Sequence, residues 1–591
     1  MRVTVGFLLG SVLGLACGDD TEPMASGTGD ASDGTTAASS ASSGEPTTSA
    51  DTTEGDSSTG AVSATVSLQL LALNDFHGHL EPPQEGPASE IWDGRQFVVT
   101  GGFSYLADDI ARLRGEAEHT LVVAAGDMIG ASPLTSGLLH DEPTIEALNM
   151  IGLDVAGVGN HEFDDGIAEL LRMQEGGCHP ETGCEAFDPF TGAEFTFLAA
   201  NTFYSGTEDT VFPGVSVQDV DGVPVAFIGM TLEGTGEIVL ASSVDGLEFR
   251  DEVETVDSLV PQLQAEGVEA FVVLLHEGLV QAGNHEACAA PGGAALTITE
   301  ALPAAVDVVV SGHSHQAYVC DVDGTLLTSG ASFGRLVTDI DLEIDRESGD
   351  VVSAVARNVL VERDDVDAEA ETFVGDMVEL VAPIANAVVG TITEDIVSEA
   401  GVAGTSPLGR LVADAQLAAV ADAGLGGAQL ALMNRGGLRA DLVFAASGEE
   451  AIDGEVSFAE IFAVHPFGNS VTTMTLTGAQ LKTVLESQFQ RDANRILEVS
   501  AGFTYSYSLS GPIGDKVDAA SMMLDGAVIG ADDEVRVAIN DFIGTGGGPF
   551  MGFEAGANVL GGPVDVDALA AYFEQGSPLS PPAPGRVMVV P

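Results

Sequence analysis

The sequence predicts an α/β protein with two large domains. Three observations support this prediction. The chain has 591 residues, which is more than a single hydrophobic core accommodates. Its composition, 45% hydrophobic and 19% charged, is typical of packed globular domains. Short apolar runs rich in β-formers alternate with helical patterns along the chain, as they do in α/β folds.

The first residues predict export. Met1 and Arg2 are followed by an apolar run over residues 3–16, which is too short to span a bilayer and is typical of a signal peptide. The run ends in Leu-Gly-Leu-Ala-Cys, which is similar to a lipoprotein lipobox, with Gly14 where that pattern usually has Leu. Cys17 would then carry a lipid. We expect a protein anchored by lipid to the cell envelope and facing the periplasm or the exterior.

Residues 17–64 consist mostly of Ser, Thr, Gly, Ala and acidic residues. Such a composition cannot bury enough apolar surface to order itself, so the segment is predicted to be a disordered tether.

The cysteines are consistent with export. Four remain besides Cys17, and they fall as two neighbouring couples, Cys178 with Cys184 and Cys288 with Cys320. Two disulfides would suit an oxidising compartment. Four reduced, buried thiols are the alternative.

The net charge of the chain restricts the partners that it can bind. The chain has 91 Asp and Glu against 19 Lys and Arg, a net charge of −72. This field repels polymeric nucleic acid and anionic membrane surfaces. A site for a small anionic substrate would therefore need bound metal or a local Arg to reverse the sign.

Five apolar runs in the first half predict buried strands, and a sixth strand is expected around residues 155–158. The five are Leu68–Leu73, Leu121–Ala125, Val225–Ile228, Phe271–Leu275 and Val306–Val310. Asp307 interrupts the last run.

Polar groups follow five of these six strands. They are Asn74-Asp75-Phe76-His77, Gly126-Asp127, Gly159-Asn160-His161-Glu162-Phe163-Asp164, His276-Glu277-Gly278 and Ser311-Gly312-His313-Ser314-His315. The carboxyl ends of strands in an open α/β sheet share one rim, so these loops can converge. Asp, Asn and His are ligands of divalent transition metals, and Asp127 could bridge two ions. Two ions about 3.5–4 Å apart suit the hydrolysis of phosphate esters.

Each residue also has a simpler interpretation. An Asp or Asn after a strand is usually a turn residue or a helix cap, and a lone His is more often packed or on the surface. His79, His119, His140 and His465 are assigned to that second class. Five ligand-type loops together favour a metal site.

These motifs resemble the calcineurin-like metallophosphoesterase domain, and the arrangement is similar to the bifunctional metallophosphatase/5′-nucleotidase family over residues 66–575. The resemblance implies an N-terminal four-layer α/β/β/α domain and a second α/β domain that binds nucleotides. The implied organisation is a signal peptide (1–16), the lipidated Cys and tether (17–64), the metallophosphoesterase domain (65–362), a linker helix (363–388), the substrate-binding domain (389–575) and a Pro-rich tail (576–591).

The resemblance implies two divalent metal ions, of Zn, Mn, Co or Mg. One would be held by Asp75, His77, Asp127 and His315. The other would be held by Asp127, Asn160, His276 and His313.

His161 is not a ligand in this scheme. The resemblance implies that it faces the substrate phosphate and is oriented by Asp164. A carboxylate behind an imidazole favours the protonated form, which can stabilise negative charge in the transition state. A helix cap is the alternative for Asp164.

In the second domain the resemblance implies that Arg439 binds substrate near the phosphate or ribose. It implies that Phe467 and Phe542 sandwich the base, and it assigns Asn434 and Asn469 to the same site. Core packing is the alternative for each Phe, and a surface salt bridge is the alternative for Arg439.

Two departures bear on the substrate. Gly548 stands where many members have an Asp that holds the ribose hydroxyls. No Arg precedes Ser406-Pro407-Leu408-Gly409, where a second substrate Arg is usual, although Arg410 follows.

The sequence thus predicts an exported two-metal hydrolase of nucleotide phosphate esters, of the 5′-nucleotidase type. A 2′,3′-cyclic phosphodiesterase, a nucleotide-sugar hydrolase or another ester hydrolase on the same scaffold is the alternative. A surface lipoprotein that binds a ligand without catalysis is the third. The metal, the preferred base and the oligomeric state are left open.

Overall fold

The structure, a computed structural model, describes residues 63–83, 89–239, 242–446, 452–490, 494–544 and 550–590. The predicted signal peptide, Cys17 and all but the last two residues of the predicted tether lie outside these ranges, and so does Gly548.

The first domain contains two six-stranded sheets in its described residues. In spatial order, the first sheet consists of Val351–Leu360, Leu336–Asp345, Thr65–Leu73, Thr120–Ala125, Val155–Gly157 and Thr196–Leu198. The second sheet consists of Ala317–Val322, Thr325–Gly330, Val308–Ser311, Ala270–His276, Val223–Thr231 and Val215–Val220. Short strand pairs join Thr202–Tyr204 to Leu247–Phe249, Leu279–Val280 to Gly292–Gly293, and Glu90–Trp92 to Phe97–Val99.

The two sheets pack face to face. Apolar side chains from strands of both sheets form one buried cluster between them, with Leu70 and Ile340 from the first sheet and Phe227 and Val272 from the second. Burying such side chains is the main source of stability in a domain of this kind.

Helices cover the outer face of each sheet. Those beside the first sheet are Phe103–Arg114, Glu142–Met150 and Ile167–Glu175, and the short helix Leu134–Gly137 lies next to Glu142–Met150. Those beside the second are Glu252–Ala265 and Ala294–Ala301, and the short helix Thr235–Ile238 lies next to the strand Leu247–Phe249. This order of layers is α/β/β/α, so the predicted fold class is confirmed.

The predicted strands are present, with small differences at their ends. The fifth begins at Val308 rather than Val306. Asp307 lies at its start, where its N–H donates to the carbonyl oxygen of Phe271 and its own carbonyl accepts from Leu326.

A long helix, Ala368–Ala385, leads from the first domain to the second. Asp367 caps it by accepting the N–H groups of Glu369 and Ala370, as Asp does at many helix starts. The helix ends at Ala385, because Asn386 leaves the helical conformation and the strand Val388–Thr391 follows.

The second domain is also α/β. One sheet consists of Glu498–Val499, Leu430–Met433, Glu534–Asn540, Ser470–Thr477 and Ala557–Val564, and a smaller one of Ala527–Val528, Met523–Leu524, Phe503–Ser508 and Val587–Val590. Val388–Thr391 pairs with Glu455–Ser457. The helices are Pro407–Val420, Phe458–Val464, Gly478–Ser487, Asp541–Gly544 and Asp565–Gly576, with 3-10 turns at Ala423–Leu425, Arg435–Gly437, Ala519–Ser521 and Met551–Ala555. The Pro-rich segment after residue 576 adds a parallel strand beside Phe503–Ser508.

Disulfide bonds join Cys178 to Cys184 and Cys288 to Cys320. Across the described part of the chain, no helix has the length and apolar composition needed to cross a membrane.

Candidate metal centre and catalytic site

The sequence-predicted ligands lie at the carboxyl ends of strands from both sheets. Asp75 and Asp127 each stand two residues after a strand of the first sheet, and Asn160 follows Val155–Gly157. His276 is the last residue of its strand in the second sheet, and His313 comes two residues after Val308–Ser311. The loops therefore come from both stacked sheets, whereas the strand pattern predicted that they share the rim of one sheet.

The first group of donors consists of Asp75, His77 and His315, whose ligand atoms lie within 4.8 Å of one another. The Nε2 atoms of His77 and His315 are 3.2 Å apart, and His315 Nε2 lies 3.5 Å from Asp75 Oδ1. Asp75 and His77 are buried. The His315 side chain is 33% exposed, so this group opens to solvent on the His315 side.

The second group consists of Asp127, His276 and His313, which also lie within 4.8 Å. Asn160 joins it, because its Oδ1 is 3.0 Å from His313 Nδ1. Asp127 Oδ2 is 2.9 Å from His276 Nε2 and 3.7 Å from His77 Nε2. The Asp127 carboxylate therefore lies between the two groups, as a bridging ligand would.

The tautomers of two histidines show that cations fit here. His276 Nδ1 lies 2.8 Å from the carbonyl oxygen of Ala125, and His77 Nδ1 lies 2.8 Å from that of Gly130. A carbonyl accepts only, so each Nδ1 carries a proton, and each ring in its neutral form presents a lone pair at Nε2. In the neutral rings both lone pairs would face the acceptor Asp127 Oδ2, which lies 2.9 Å from His276 Nε2 and 3.7 Å from His77 Nε2. A shared cation removes that conflict, and the donor set suits a divalent transition metal.

Electrostatics agree with this interpretation. Burial raises the pKa of Asp75 to about 7. Burial alone would lower the pKa of His276, but the carboxylate of Asp127 outweighs it and raises that pKa to about 10. A buried carboxylate that holds a proton on a neighbouring imidazole is a position where a metal ion can replace the proton.

Several of the candidate ligands have an unusual backbone conformation. Asp75, His77, Asp127, His313 and His315 all have φ between 48° and 65°, which residues other than Gly rarely adopt. Such conformations cost energy and persist where the surrounding structure imposes them, often at functional sites. Sequence patterns did not reveal this feature.

Two glycines allow the loops to approach closely. A Cβ on Gly126, where φ is 81°, would lie 2.5 Å from the backbone nitrogen of Gly159. A Cβ on Gly159 would overlap Oδ1 of Asp127. Only glycine fits at this contact.

Sequence reasoning missed two supporting residues. Buried Glu162 accepts the N–H groups of Asp127 (3.0 Å), Met128 (2.8 Å) and Gly159 (2.6 Å). Asn74 donates to Asp75 Oδ2 (2.6 Å) and to the carbonyl oxygen of Ala331 (2.6 Å). Both stand inside the motifs that carried the ligands, so their position was the available clue.

His161 and Asp164 form a pair beside these groups. His161 Nδ1 lies 2.8 Å from Asp164 Oδ2, and the His161 backbone N–H donates to Asp127 Oδ1 at 2.9 Å. Burial alone would lower the pKa of His161, but the carboxylates of Asp164 and Asp127 raise it to about 9. The two carboxylates therefore favour the protonated form of the His161 imidazole.

Residues of the second domain also lie near His161. The Phe467 ring is 6.0 Å from the His161 ring, with an interplanar angle of 21°. The Arg439 guanidinium lies 4.8 Å from the centre of the Phe467 ring. Its charge disfavours protonation of both His161 and His315. Phe467, with Arg439 over its ring, thus lies beside His161 next to the donor groups.

The other residues predicted to bind substrate lie further back. Asn434 is nearly buried and its Oδ1 accepts from Asn540 Nδ2 at 2.9 Å. Asn469 Nδ2 donates to Asp565 Oδ2 at 3.4 Å. Phe542 is partly buried against the core of the second domain. Among the contacts of the described residues, none connects Asn434, Asn469 or Phe542 to His161.

Arg410 points elsewhere. It is buried, and its Nε and Nη2 donate to the carbonyl oxygen of Pro582. It therefore anchors the C-terminal segment and does not replace the missing substrate Arg.

The fold and the two donor groups are those of a metal-dependent phosphoester hydrolase. Residues 68–317 match the family model of the calcineurin-like phosphoesterases, and residues 388–555 match that of the 5′-nucleotidase C-terminal domain.

Relatives extend over most of the chain. It is 32% identical over 530 residues to endonuclease YhcR of Bacillus subtilis, covering 88% of this chain and 41% of that protein. It is 31% identical over 542 residues to cell wall protein Lmo0130 of Listeria monocytogenes, covering 87% and 68%. The chain thus spans less than half of the Bacillus protein.

A solved structure shows the same fold. The 5′-nucleotidase precursor of Thermus thermophilus has a TM-score of 0.67 and 24% identity, covering 89% of this chain and 99% of that one. The chain belongs to the family that joins a calcineurin-like phosphoesterase domain to a 5′-nucleotidase C-terminal domain, and the resemblance seen in the sequence is confirmed.

Proposed function

We propose that the chain hydrolyses phosphate esters of nucleotides, as a 5′-nucleotidase does, with two divalent metal ions. The observation that carries the proposal is that Phe467 of the second domain, with Arg439 over its ring, stacks on His161 beside the two donor groups. A cation and an aromatic face are suited to a nucleotide whose phosphate is at the metal centre.

Asp75, His77, Asp127 and His315 would hold one ion, and Asp127, Asn160, His276 and His313 the other. The ions would supply positive charge for the phosphoryl oxygens and a water made nucleophilic at neutral pH. In a chain with a net charge of −72, this local positive charge is what lets an anionic substrate bind.

His161 and Asp164 would act on the substrate directly. With Nδ1 held by Asp164, Nε2 of His161 is the nitrogen left to donate to a phosphoryl or leaving oxygen. A raised pKa keeps that proton in place until negative charge develops. Asp164 fixes the orientation of the ring and stabilises its charge.

The second domain would select the substrate. Phe467 and Phe542 would hold the base, and Arg439, Asn434 and Asn469 would bind the phosphate or sugar. Stacking tolerates different bases, so we expect low discrimination among them.

A different ester on the same scaffold is the second candidate, namely a 2′,3′-cyclic phosphodiesterase or a nucleotide-sugar hydrolase. Gly548, in place of a ribose-binding Asp, motivates it. A non-catalytic binding protein is less favoured, because both donor groups are complete. Polymeric nucleic acid is opposed by the net charge, although the Bacillus relative is named an endonuclease.

We further propose an extracytoplasmic location with a lipid anchor at Cys17. The signal-peptide pattern of residues 1–16 supports it, and the Listeria relative is named a cell wall protein. The tether of residues 17–64 would let the enzyme reach soluble substrates.

A substrate panel tests the proposal. The purified chain is assayed with Mn, Zn, Mg or Co against nucleoside monophosphates, 2′,3′-cyclic nucleotides, nucleotide sugars and an aryl phosphate. We expect the highest kcat/KM on nucleoside monophosphates and none after chelation. Higher kcat/KM on the cyclic or sugar substrates would select the second candidate. No turnover with any metal would contradict both.

A further inference from the structure

Arg335 is a buried cation beside the first donor group. It lies between the strands Thr325–Gly330 and Leu336–Asp345 and is 8% exposed. Its Nε donates to the carbonyl oxygen of Ser332 at 2.9 Å, and its Nη2 to Ser332 Oγ at 2.7 Å. Its loop also touches the centre directly, because the N–H of Phe333 donates to the carbonyl oxygen of Asp75 at 2.8 Å.

No carboxylate of the described residues pairs with Arg335. Burial is the one cause that shifts its pKa, which falls to about 10. Arg172, equally buried, shows the usual arrangement: its guanidinium contacts Glu142 and Glu169, each at 2.6 Å. A buried charge without a counter-charge is costly. The chain has 91 acidic residues, yet no carboxylate of the described residues contacts this guanidinium. We therefore expect an anion from outside the chain to pair with it.

His79 lies against the same aromatic ring. Its imidazole stacks on Phe333 with centroids 4.0 Å apart and an angle of 29°. The Arg335 guanidinium is 5.2 Å from the centre of that ring, and the His315 ring is 5.3 Å away. Within the described ranges, no residue hydrogen-bonds the His79 imidazole. An imidazole in its neutral form carries one ring N–H that can donate to an anion.

The position of this pair defines what it can bind. The Phe333 ring that Arg335 and His79 share also lies 5.3 Å from the ring of His315 and 6.0 Å from that of His77, both of the first donor group. Arg439 belongs to the second domain and lies over the Phe467 ring, which stacks on His161. An anion held by Arg335 and His79 would therefore lie next to a phosphate at the metal centre, against a wall of the first domain.

We infer that Arg335 and His79 form an anion subsite for a second phosphoryl group, carried by substrates with two phosphates in a row. This inference rests on the proposed function. It adds that nucleoside diphosphates and related diphosphates are recognised by the first domain, independently of the base.

Inhibition of the metal-loaded full chain tests the subsite without using a nucleotide. The probes are inorganic phosphate and methylenediphosphonate, a diphosphate analogue that is not hydrolysed, each competing with an aryl phosphate. In the parent protein, methylenediphosphonate should bind more tightly than phosphate. Arg335→Gln should weaken methylenediphosphonate about 10–100-fold, the usual loss for a charged hydrogen bond, and change phosphate inhibition less than about 3-fold. Arg335→Lys should lie between.

Two controls separate the subsite from a structural role. Arg346→Gln removes the same charge from the distant Asp221 pair and should leave both inhibition constants unchanged. His79→Phe keeps the ring against Phe333 but removes the N–H, and should weaken only methylenediphosphonate, so it serves if Arg335→Gln fails to fold. Metal content is measured for each variant.

The outcomes are distinct. Equal losses on phosphate and methylenediphosphonate, or loss of metal, would overturn the subsite and make Arg335 a support of Asp75. Methylenediphosphonate that binds the parent no better than phosphate would also overturn it. A different result would contradict the proposed function. In that case the protein would bind methylenediphosphonate selectively and hydrolyse the aryl phosphate, but it would hydrolyse no nucleotide.

Discussion

The rings of His161 and Phe467 lie 6.0 Å apart and nearly parallel, at 21°. His161 follows a strand of the first domain, whereas Phe467 follows a helix of the second. The contact therefore joins the proposed catalytic residue of one domain to the proposed base-binding residue of the other, and mutation can separate the two proposed roles.

His161→Ala should abolish turnover and leave metal content near that of the parent. The reason is that His161 is paired with Asp164 and is not a member of either donor group. Asp127→Ala should lose metal, since its carboxylate contacts a histidine of each group. Metal analysis of the purified proteins decides between coordination and catalysis. A His161→Ala protein that lacks one or both ions would make His161 a ligand.

Phe467→Ala should reduce kcat/KM for a nucleoside monophosphate by about one to two decades, because stacking contributes roughly 1–3 kcal/mol per base. An aryl phosphate should be almost unaffected. Phe542→Ala should behave alike if the two rings share the base. Equal losses on both substrates would show that the ring is structural, and the nucleotide assignment would then fall back to a general phosphoesterase.

The residues of the two donor groups could be picked out from sequence because they follow apolar strands and are chemically distinctive. The alternation of strands and helices also sufficed for the α/β class. The strand pattern alone did not show that the loops come from two stacked sheets, which only the family resemblance implied, because which strands share a sheet depends on pairing between distant segments. Only close approach in space explains why Gly126 and Gly159 must lack a side chain.

Residues that belong to no motif, and that have several ordinary structural interpretations, were harder to assign from the sequence. His79 and Arg335 have no motif, and their significance comes from a shared contact with Phe333. Arg410 resembled a substrate residue by position, yet its guanidinium is bound by Pro582. The last strand, Val587–Val590, lies in a Pro-rich segment that composition describes as a tail, and its pairing with Phe503–Ser508 has no local signature.

Asp307→Asn should stabilise the protein at high pH and not at low pH. Burial raises the pKa of Asp307 from 3.8 to about 7, so the folded state holds a proton that the unfolded state releases. The parent therefore loses stability as the pH rises from about 4 to 7. Asn keeps an acceptor for the N–H of Phe271, now 2.9 Å from the carboxylate, and does not titrate.

Thermal unfolding at pH 4 and pH 8 checks this prediction. The variant should match the parent at pH 4 and exceed it at pH 8 by roughly 2–4 °C, the shift that about 1 kcal/mol gives in a domain of moderate size. Asp257→Asn, on an exposed position of the helix Glu252–Ala265, removes the same charge and serves as the control. A larger gain at pH 4 than at pH 8 would contradict the assignment.

Cys17→Ser should release the protein from membranes if Cys17 carries a lipid, because the rest of the predicted tether has too little apolar surface to bind a bilayer. Fractionation of cells that express the parent and the variant gives the answer. A variant that still sediments with membranes would refute the lipid anchor and leave export untouched.

Glu162→Gln should weaken metal binding without removing any ligand. The Glu162 carboxylate accepts N–H groups from Asp127, Met128 and Gly159, so it holds the loop of the bridging ligand against the loop of Asn160. A Gln amide has one oxygen. Its NH2 group would face at least one of these N–H groups, donor against donor, and push the loops apart. Residues that support metal ligands typically change affinity about 10–100-fold when mutated. Competition with a chromophoric chelator should show such a loss in Glu162→Gln, whereas His161→Ala, one residue away, should retain the parent affinity. Parent affinity in Glu162→Gln would mean that the glycines and neighbouring hydrogen bonds hold the two loops without this carboxylate.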